Sequence, residues 1–110
     1  MSAEMLKGHL DNILLAVIED GPLHGYAIIE AIKMQSGGDF DLTEGTIYPA
    51  LHRLESVHFL ESRWVEPPSG RKRRMYQLTT RGIEALNEKR KGWSKFSAAV
   101  DAFMDKPCLT

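Results

Sequence analysis

Three breaks in periodicity divide this chain of 110 residues, and they leave room for only short elements before residue 79. At Asp20-Gly21-Pro22, Pro22 disfavours helical backbone at Gly21, and Gly21 itself tolerates positive φ. Gly37-Gly38 stops any helix that reaches it. The third break, Glu66-Pro67-Pro68-Ser69-Gly70-Arg71-Lys72, is too polar and Pro-rich to be a strand.

The segments between the breaks have distinct periods. A first helix is expected from a Ser2 cap to about Glu19, with Met5, His9, Ile13, Ala16 and Val17 at helical spacing. Gly8 lies inside it and weakens its first half by up to ~1 kcal/mol relative to Ala. A second helix is expected from about His24 to Ser36, burying Tyr26, Ile28, Ile29 and Ile32. After a short connection at Asp39–Leu42, Thr43 caps a third helix to about Val57, with Ile47, Ala50, Leu51 and Leu54 as its buried stripe. Pro49 falls deep enough in it to imply a kink or an irregular first turn.

Leu60–Val65 and Arg73–Leu78 are rich in strand formers and flank the third break, which predicts a β-hairpin with a long tip. Thr79 or Thr80 then caps a helix to about Met104, roughly 37 Å long at 1.5 Å per residue and too long for this small core to cover. Leu86, Trp93 and Val100 repeat at seven residues, with Phe96 and Phe103 three places after the last two. Such a seam suits a homodimer contact, against the first helix of a second copy. The alternative is a helix folded back on its own domain.

Helix–helix–helix–strand–strand–helix is a mainly α pattern, an α+β winged helix. It comprises a winged helix-turn-helix domain with an N-terminal helix at 1–79, then a long C-terminal dimerisation helix and tail at 80–110. Composition agrees with a single globular unit: 43% hydrophobic and 26% charged residues exclude a disordered or collagen-like chain. The longest apolar run, Ile13 to Ile18, is far short of the ~20 residues that cross a bilayer, so no membrane partner is expected. No secretory pattern is visible and Cys108 stands alone, which points to a reduced cytoplasmic compartment.

The net charge of −1 conceals a strong polarity. Residues 1–50 hold two basic and eight acidic groups, whereas residues 51–110 hold twelve basic and seven acidic. Arg71, Lys72, Arg73 and Arg74 gather at the hairpin tip, and no acid lies between Glu66 and Glu84. Cations so close repel one another unless a polyanion neutralises them, and phosphates do so with release of counterions. On the third helix, Thr43, Glu44, Thr46, Tyr48, His52, Arg53 and Glu55 lie opposite the apolar stripe. In a helix-turn-helix this element enters the major groove, where hydroxyls reach phosphates and Arg pairs with guanine. Basic wing and polar helix together point to double-stranded DNA. The same basic wing could instead dock an acidic protein, as an interaction module without operator binding.

Other chemistries lack their residues. His9, His24, His52 and His58 fall on separate elements without metal-ligand spacing, and Asp39 and Asp41 lack the remaining calcium-loop ligands, so neither metal nor cofactor is expected. No nucleophile motif or phosphate-cradling loop supports an enzyme. Trp93 is open to two readings: a core side chain, or one wall of a flat slot for a planar aromatic ligand between dimer helices.

Gly45-Thr46-Ile47-Tyr48-Pro49-Ala50-Leu51-His52-Arg53-Leu54-Glu55 resembles the recognition-helix signature of PadR-type transcriptional regulators. His24-Gly25-Tyr26 and Tyr76-Gln77-Leu78-Thr79 with Gly82 fall where that family has its matching motifs. The resemblance covers residues 5–104 and implies a homodimeric winged-helix repressor on a palindromic operator, with Tyr26, Thr43, Glu44, Thr46, Tyr48, Pro49, His52 and Arg53 contacting DNA and Pro49 belonging to the recognition helix. The single-helix arm is similar to the smaller subfamily that includes multidrug-responsive repressors. By that likeness Trp93 stacks on a small planar, phenolic or drug-like effector, with Phe96, Ser97, Met5, Asp11 and Asn12 around it. Two residues depart from the family pattern: His58 stands where Gly is usual, and Met75 replaces the first aromatic of the pair on the second wing strand.

Overall fold

The computed structural model describes residue 6 and residues 8–105. Among these, four helices and three strands follow in the order α1 (Leu10–Ile18), β1 (Leu23–His24), α2 (Gly25–Gln35), α3 (Glu44–Ser56), β2 (Leu60–Val65), β3 (Arg73–Leu78) and α4 (Thr80–Met104). The winged-helix expectation holds, and both wing strands and α4 take the predicted limits.

The first helix does not run through Gly8, whose φ of +89° breaks it; the expected Ser2 cap lies outside the described residues. The core is built by Leu14, Leu15, Val17 and Ile18 of α1, by Ile28, Ile29 and Ile32 of α2, and by the predicted stripe of α3. Leu60, Tyr76 and Leu86 close it. Ile13 and Ala16 lie on another side of α1, toward α4. Tyr26 is 62% exposed rather than buried. The buried face of α2 carries residues 25, 28, 29 and 32, and position 26 is turned about 100° from Gly25.

A third strand escaped the sequence reading. β1 pairs antiparallel with β3 through Leu23 opposite Tyr76 and His24 opposite Met75, so the sheet order is β1-β3-β2. Two residues are too short to display a period. In the hairpin, Leu60 faces Leu78, Ser62 faces Tyr76 and Trp64 faces Arg74.

Helix ends explain the motif residues. Gly37 and Gly38 close α2 with Gly38 N donating to Lys33 O at 2.8 Å and Gly37 N to Met34 O at 3.1 Å. The same motif closes α3, with Phe59 N on Leu54 O and His58 N on Glu55 O, both 3.0 Å. His58 takes the left-handed position at φ +64°, where a glycine would be free of strain. Thr79 N donates to Phe59 O at 3.1 Å, and a Cβ on Gly82 would collide with that same carbonyl. Thr79 Oγ1 caps α4 by accepting from Gly82 N at 3.0 Å.

Pro49 leaves α3 unbroken from Glu44 to Ser56. It cannot donate to Gly45 O, but both residues are exposed, so water can satisfy the carbonyl. The irregularity is confined to the first turn, where Thr43 O accepts from Thr46 N and Ile47 N, each at 3.1 Å.

Candidate nucleic-acid interface

α2, α3 and the hairpin enclose a concavity of about 600 Å³. Its walls are His24, Gly25 and Tyr26 from the start of α2, Glu44, Tyr48 and His52 from α3, and Trp64, Arg71, Lys72, Arg73, Arg74 and Tyr76 from the hairpin. Gly25 is there because Tyr48 is: a Cβ at position 25 would overlap the Tyr48 ring and hydroxyl. Eight of the residues expected to face DNA therefore share one surface, dominated by four cations against Glu44.

The cations are not equivalent. Arg71, Lys72 and Arg73 are exposed, and among the described residues none forms an ion pair. Arg74 is turned inward: Nε donates to Ser62 Oγ at 2.8 Å and Nη2 to Glu55 Oε1 at 3.2 Å. Ser62 Oγ in turn donates to Glu55 Oε2 at 2.6 Å. The guanidinium also lies 5.9 Å from the ring centres of Trp64 and Tyr76. Rather than reaching freely for phosphate, Arg74 ties the wing to the end of α3.

Arg53 is likewise engaged, donating from Nη2 to Asp11 Oδ1 of α1 at 2.5 Å. Thr43, Thr46, Pro49 and Arg53 lie outside the concavity, with the two threonine hydroxyls 3.1 Å apart on the exposed start of α3. Beneath the site, burial pushes the Tyr76 hydroxyl pKa up, and this hydroxyl has no hydrogen-bond partner among the described residues. Desolvation, with the charge of Arg73, holds His24 below the usual imidazole range. Sequence reasoning missed His24 and Trp64. Only the alternation of β2 hinted at Trp64, placing it on the strand face that carries buried Leu60.

A second, largely apolar groove of about 510 Å³ runs between α1 and α4. Of the residues expected around an effector, Trp93 and Asn12 line it, together with His9, Ile13, Ala16, Phe40, Leu86, Lys89 and Arg90. The Trp93 ring meets His9 edge-on at 5.3 Å. Asp11 points elsewhere, to Arg53. Phe96 lies farther along α4, 6.2 Å from Trp93, and Ser97 Oγ donates to Ser94 O; neither lines the groove. Met5 is outside the described residues. Leu86 is 2% exposed in the chain's own core, so the free seam is Trp93, Phe96, Val100 and Phe103. Its exposure also removes the folded-back alternative for the second half of α4. Among the described residues no cluster of three metal-ligating side chains forms, and no helix is long and apolar enough to cross a membrane.

A helix-turn-helix whose second helix and wing wall one basic concavity defines the class: a winged helix-turn-helix protein. The chain belongs to the transcriptional regulator PadR-like family, whose model matches residues 14–88. It is thus a transcriptional regulator and not an enzyme. Over 83 residues it is 34% identical to a transcriptional regulator of Mycobacterium tuberculosis, a match spanning 74% of this chain and 72% of that protein. Its structure is similar to that of a transcriptional regulator from Clostridium thermocellum, with a TM-score of 0.84 at 26% identity over 94% of this chain and 97% of the other. It is also similar to Bacillus subtilis PadR in complex with operator DNA, with a TM-score of 0.67 at 27% identity over 74% of this chain and 45% of that one.

Proposed function

We propose that the protein is a homodimeric repressor that binds a palindromic DNA operator and is released by a small planar aromatic effector. The observation that carries this reading is the concavity, where Tyr48 and His52 of α3 open onto the same surface as Arg71, Lys72 and Arg73. Phosphate contacts from the wing would fix the register and α3 would read base edges. The likeness to a protein solved with operator DNA supports the partner.

Residues 1–79 form the DNA-binding unit and 80–110 the dimerisation arm, with Leu86 given to the core of the former. The exposed seam supports self-association, because a monomer with Phe96 and Phe103 at 58% and 75% exposure leaves a large apolar strip in water. Two subunits would space half-sites one or two helical turns apart. The α1–α4 groove, walled by Trp93, would take the effector and alter that spacing.

A footprint on the DNA upstream of the chain's own gene tests operator binding; absence of protection at physiological salt, with an acidic protein bound instead, would favour the interaction-module reading. Titration with planar cationic dyes tests the effector. Trp quenching that is lost in Trp93→Ala supports the slot, and quenching that persists through Trp64 rejects it.

A further inference from the structure

Trp64 lines the concavity with the Arg74 guanidinium against its ring, and the ion-pair network of Arg74, Ser62 and Glu55 leaves the rest of the indole uncovered. It is 64% exposed. Strand alternation places Leu60, Ser62 and Trp64 on one face of β2, opposite Leu78, Tyr76 and Arg74 of β3. Leu60 and Tyr76 on that face are buried, so the face is turned toward the helices. At Trp64 the sheet outruns the core, and the indole emerges into the concavity that His52 and the tip cations also line.

The ring is also braced. Arg74, its cross-strand partner, holds its guanidinium 5.9 Å from the ring centre and is itself fixed by Ser62 and Glu55. A flat apolar surface is thereby presented in the same concavity as three cations that have no ion pair among the described residues. The occupant that matches this pairing has anionic and apolar groups alternating within a few ångströms. A DNA backbone does, with a deoxyribose between successive phosphates.

Building on the DNA reading above, we infer that Trp64 is a DNA-contact residue, its indole packing on the deoxyribose between phosphates that Arg71, Lys72 and Arg73 neutralise. An apolar contact releases no counterions, so its contribution is independent of salt, unlike that of the neighbouring cations. Base–aromatic stacking on single strands is worth roughly 5- to 150-fold in affinity by alanine truncation; a sugar contact, with no base to stack on, is set toward the lower part of that range, about tenfold.

The test uses the full chain labelled with 5-fluorotryptophan, which gives two ¹⁹F resonances for its two Trp residues, assigned through Trp64→Phe. Added duplex from the chain's own upstream region should move the Trp64 resonance. Trp64→Ala should weaken binding about tenfold equally at low and high salt, with Trp64→Phe recovering part of the loss. A duplex that binds by anisotropy while the Trp64 resonance stays fixed in the unsubstituted chain overturns the contact. So does a Trp64→Ala loss that disappears at high salt, which would reduce the indole to a support for the phosphate-neutralising cations Arg71, Lys72 and Arg73. A polyglutamate chain that shifts the resonance as duplex does excludes the sugar as its partner. Failure of any duplex to bind the unsubstituted chain removes the DNA reading itself, and this inference with it.

Discussion

The unequal standing of the four tip cations gives a quantitative expectation for DNA binding. Arg71, Lys72 and Arg73 are free of ion pairs among the described residues, whereas Arg74 is already compensated by Glu55. Each phosphate contact contributes about −0.9 to the slope of log affinity against log salt, so three free cations contribute about −2.7 per subunit. A fourfold rise in salt, from about 50 to 200 mM, should then cost roughly 40-fold in affinity per wing. Arg73→Ala should flatten the slope by about 0.9 per subunit, which is roughly a 3.5-fold smaller loss over that range. Arg74→Ala should leave the slope nearly unchanged. Its effect should fall on stability, by about 1–2 kcal/mol once its partial exposure is allowed for, because Glu55 and Ser62 lose their shared partner. Anisotropy of a labelled upstream duplex across a salt series, with thermal melts of each variant, measures both quantities. If Arg74→Ala flattens the slope as much as Arg73→Ala, the assignment of Arg74 to Glu55 fails for the bound state.

Three further outcomes follow from particular contacts. Gly82→Ala should destabilise the fold by more than the ~1 kcal/mol that helix propensity alone would return in the opposite sense, since the new Cβ meets the Phe59 carbonyl; chemical denaturation reads it, and a stabilised variant would contradict the packing. Asp11→Asn should release Arg53, and if Arg53 reaches DNA the salt slope steepens by about 0.9 per subunit, a change absent in Asp11→Asn/Arg53→Gln. Desolvation and the charge of Arg73 hold the pKa of folded His24 below the ordinary imidazole value of about 6.5, so the unfolded chain binds the proton more readily. Its contribution is complete above pH 6.5 and fades as pH falls below it; the melting temperature of the unsubstituted chain should drop more between pH 7 and 5.5 than that of His24→Gln.

How much of this was legible depended on whether the cause lay close in sequence. The wing strands and α4 were found at their observed limits because their signals are local: Pro67, Pro68 and Gly70 mark the tip, and Thr79 caps through a residue three places on. The left-handed position of His58 was marked only by the family resemblance, in which Gly is usual there. Arg74 was not legible. Its four-cation run looks uniform in sequence, and what singles it out is Glu55, nineteen residues earlier on another element. The engagement of Arg53 was hidden for the same reason, its partner Asp11 being forty-two residues away. β1 is too short to have a period, and Leu86 continues the heptad of Trp93 and Val100 while belonging to the core.

That split in the α4 heptad bears on the proposed effector response. α1 is fixed to the core by Leu14, Leu15, Val17 and Ile18, all buried. α4 is anchored to the rest of the chain by Gly82 on the Phe59 carbonyl, by Leu86 in the core and by the Arg90–Glu19 pair at the end of α1, with bonds of 2.7 and 2.8 Å. That pair is half exposed on the Arg90 side and therefore contributes little. Beyond Arg90 nearly every residue of α4 is exposed within one chain. An effector wedged beside Trp93 thus meets one rigid wall, α1, and one compliant wall, the distal part of α4. In the proposed dimer, movement of that part relative to the core would reset the spacing between two subunits while leaving α3, Asp11 and Arg53 of each subunit in place. Release would then act on the distance between recognition helices rather than on their individual shape, so a single half-site should bind with the same affinity in the presence and absence of effector, whereas the full palindrome should not.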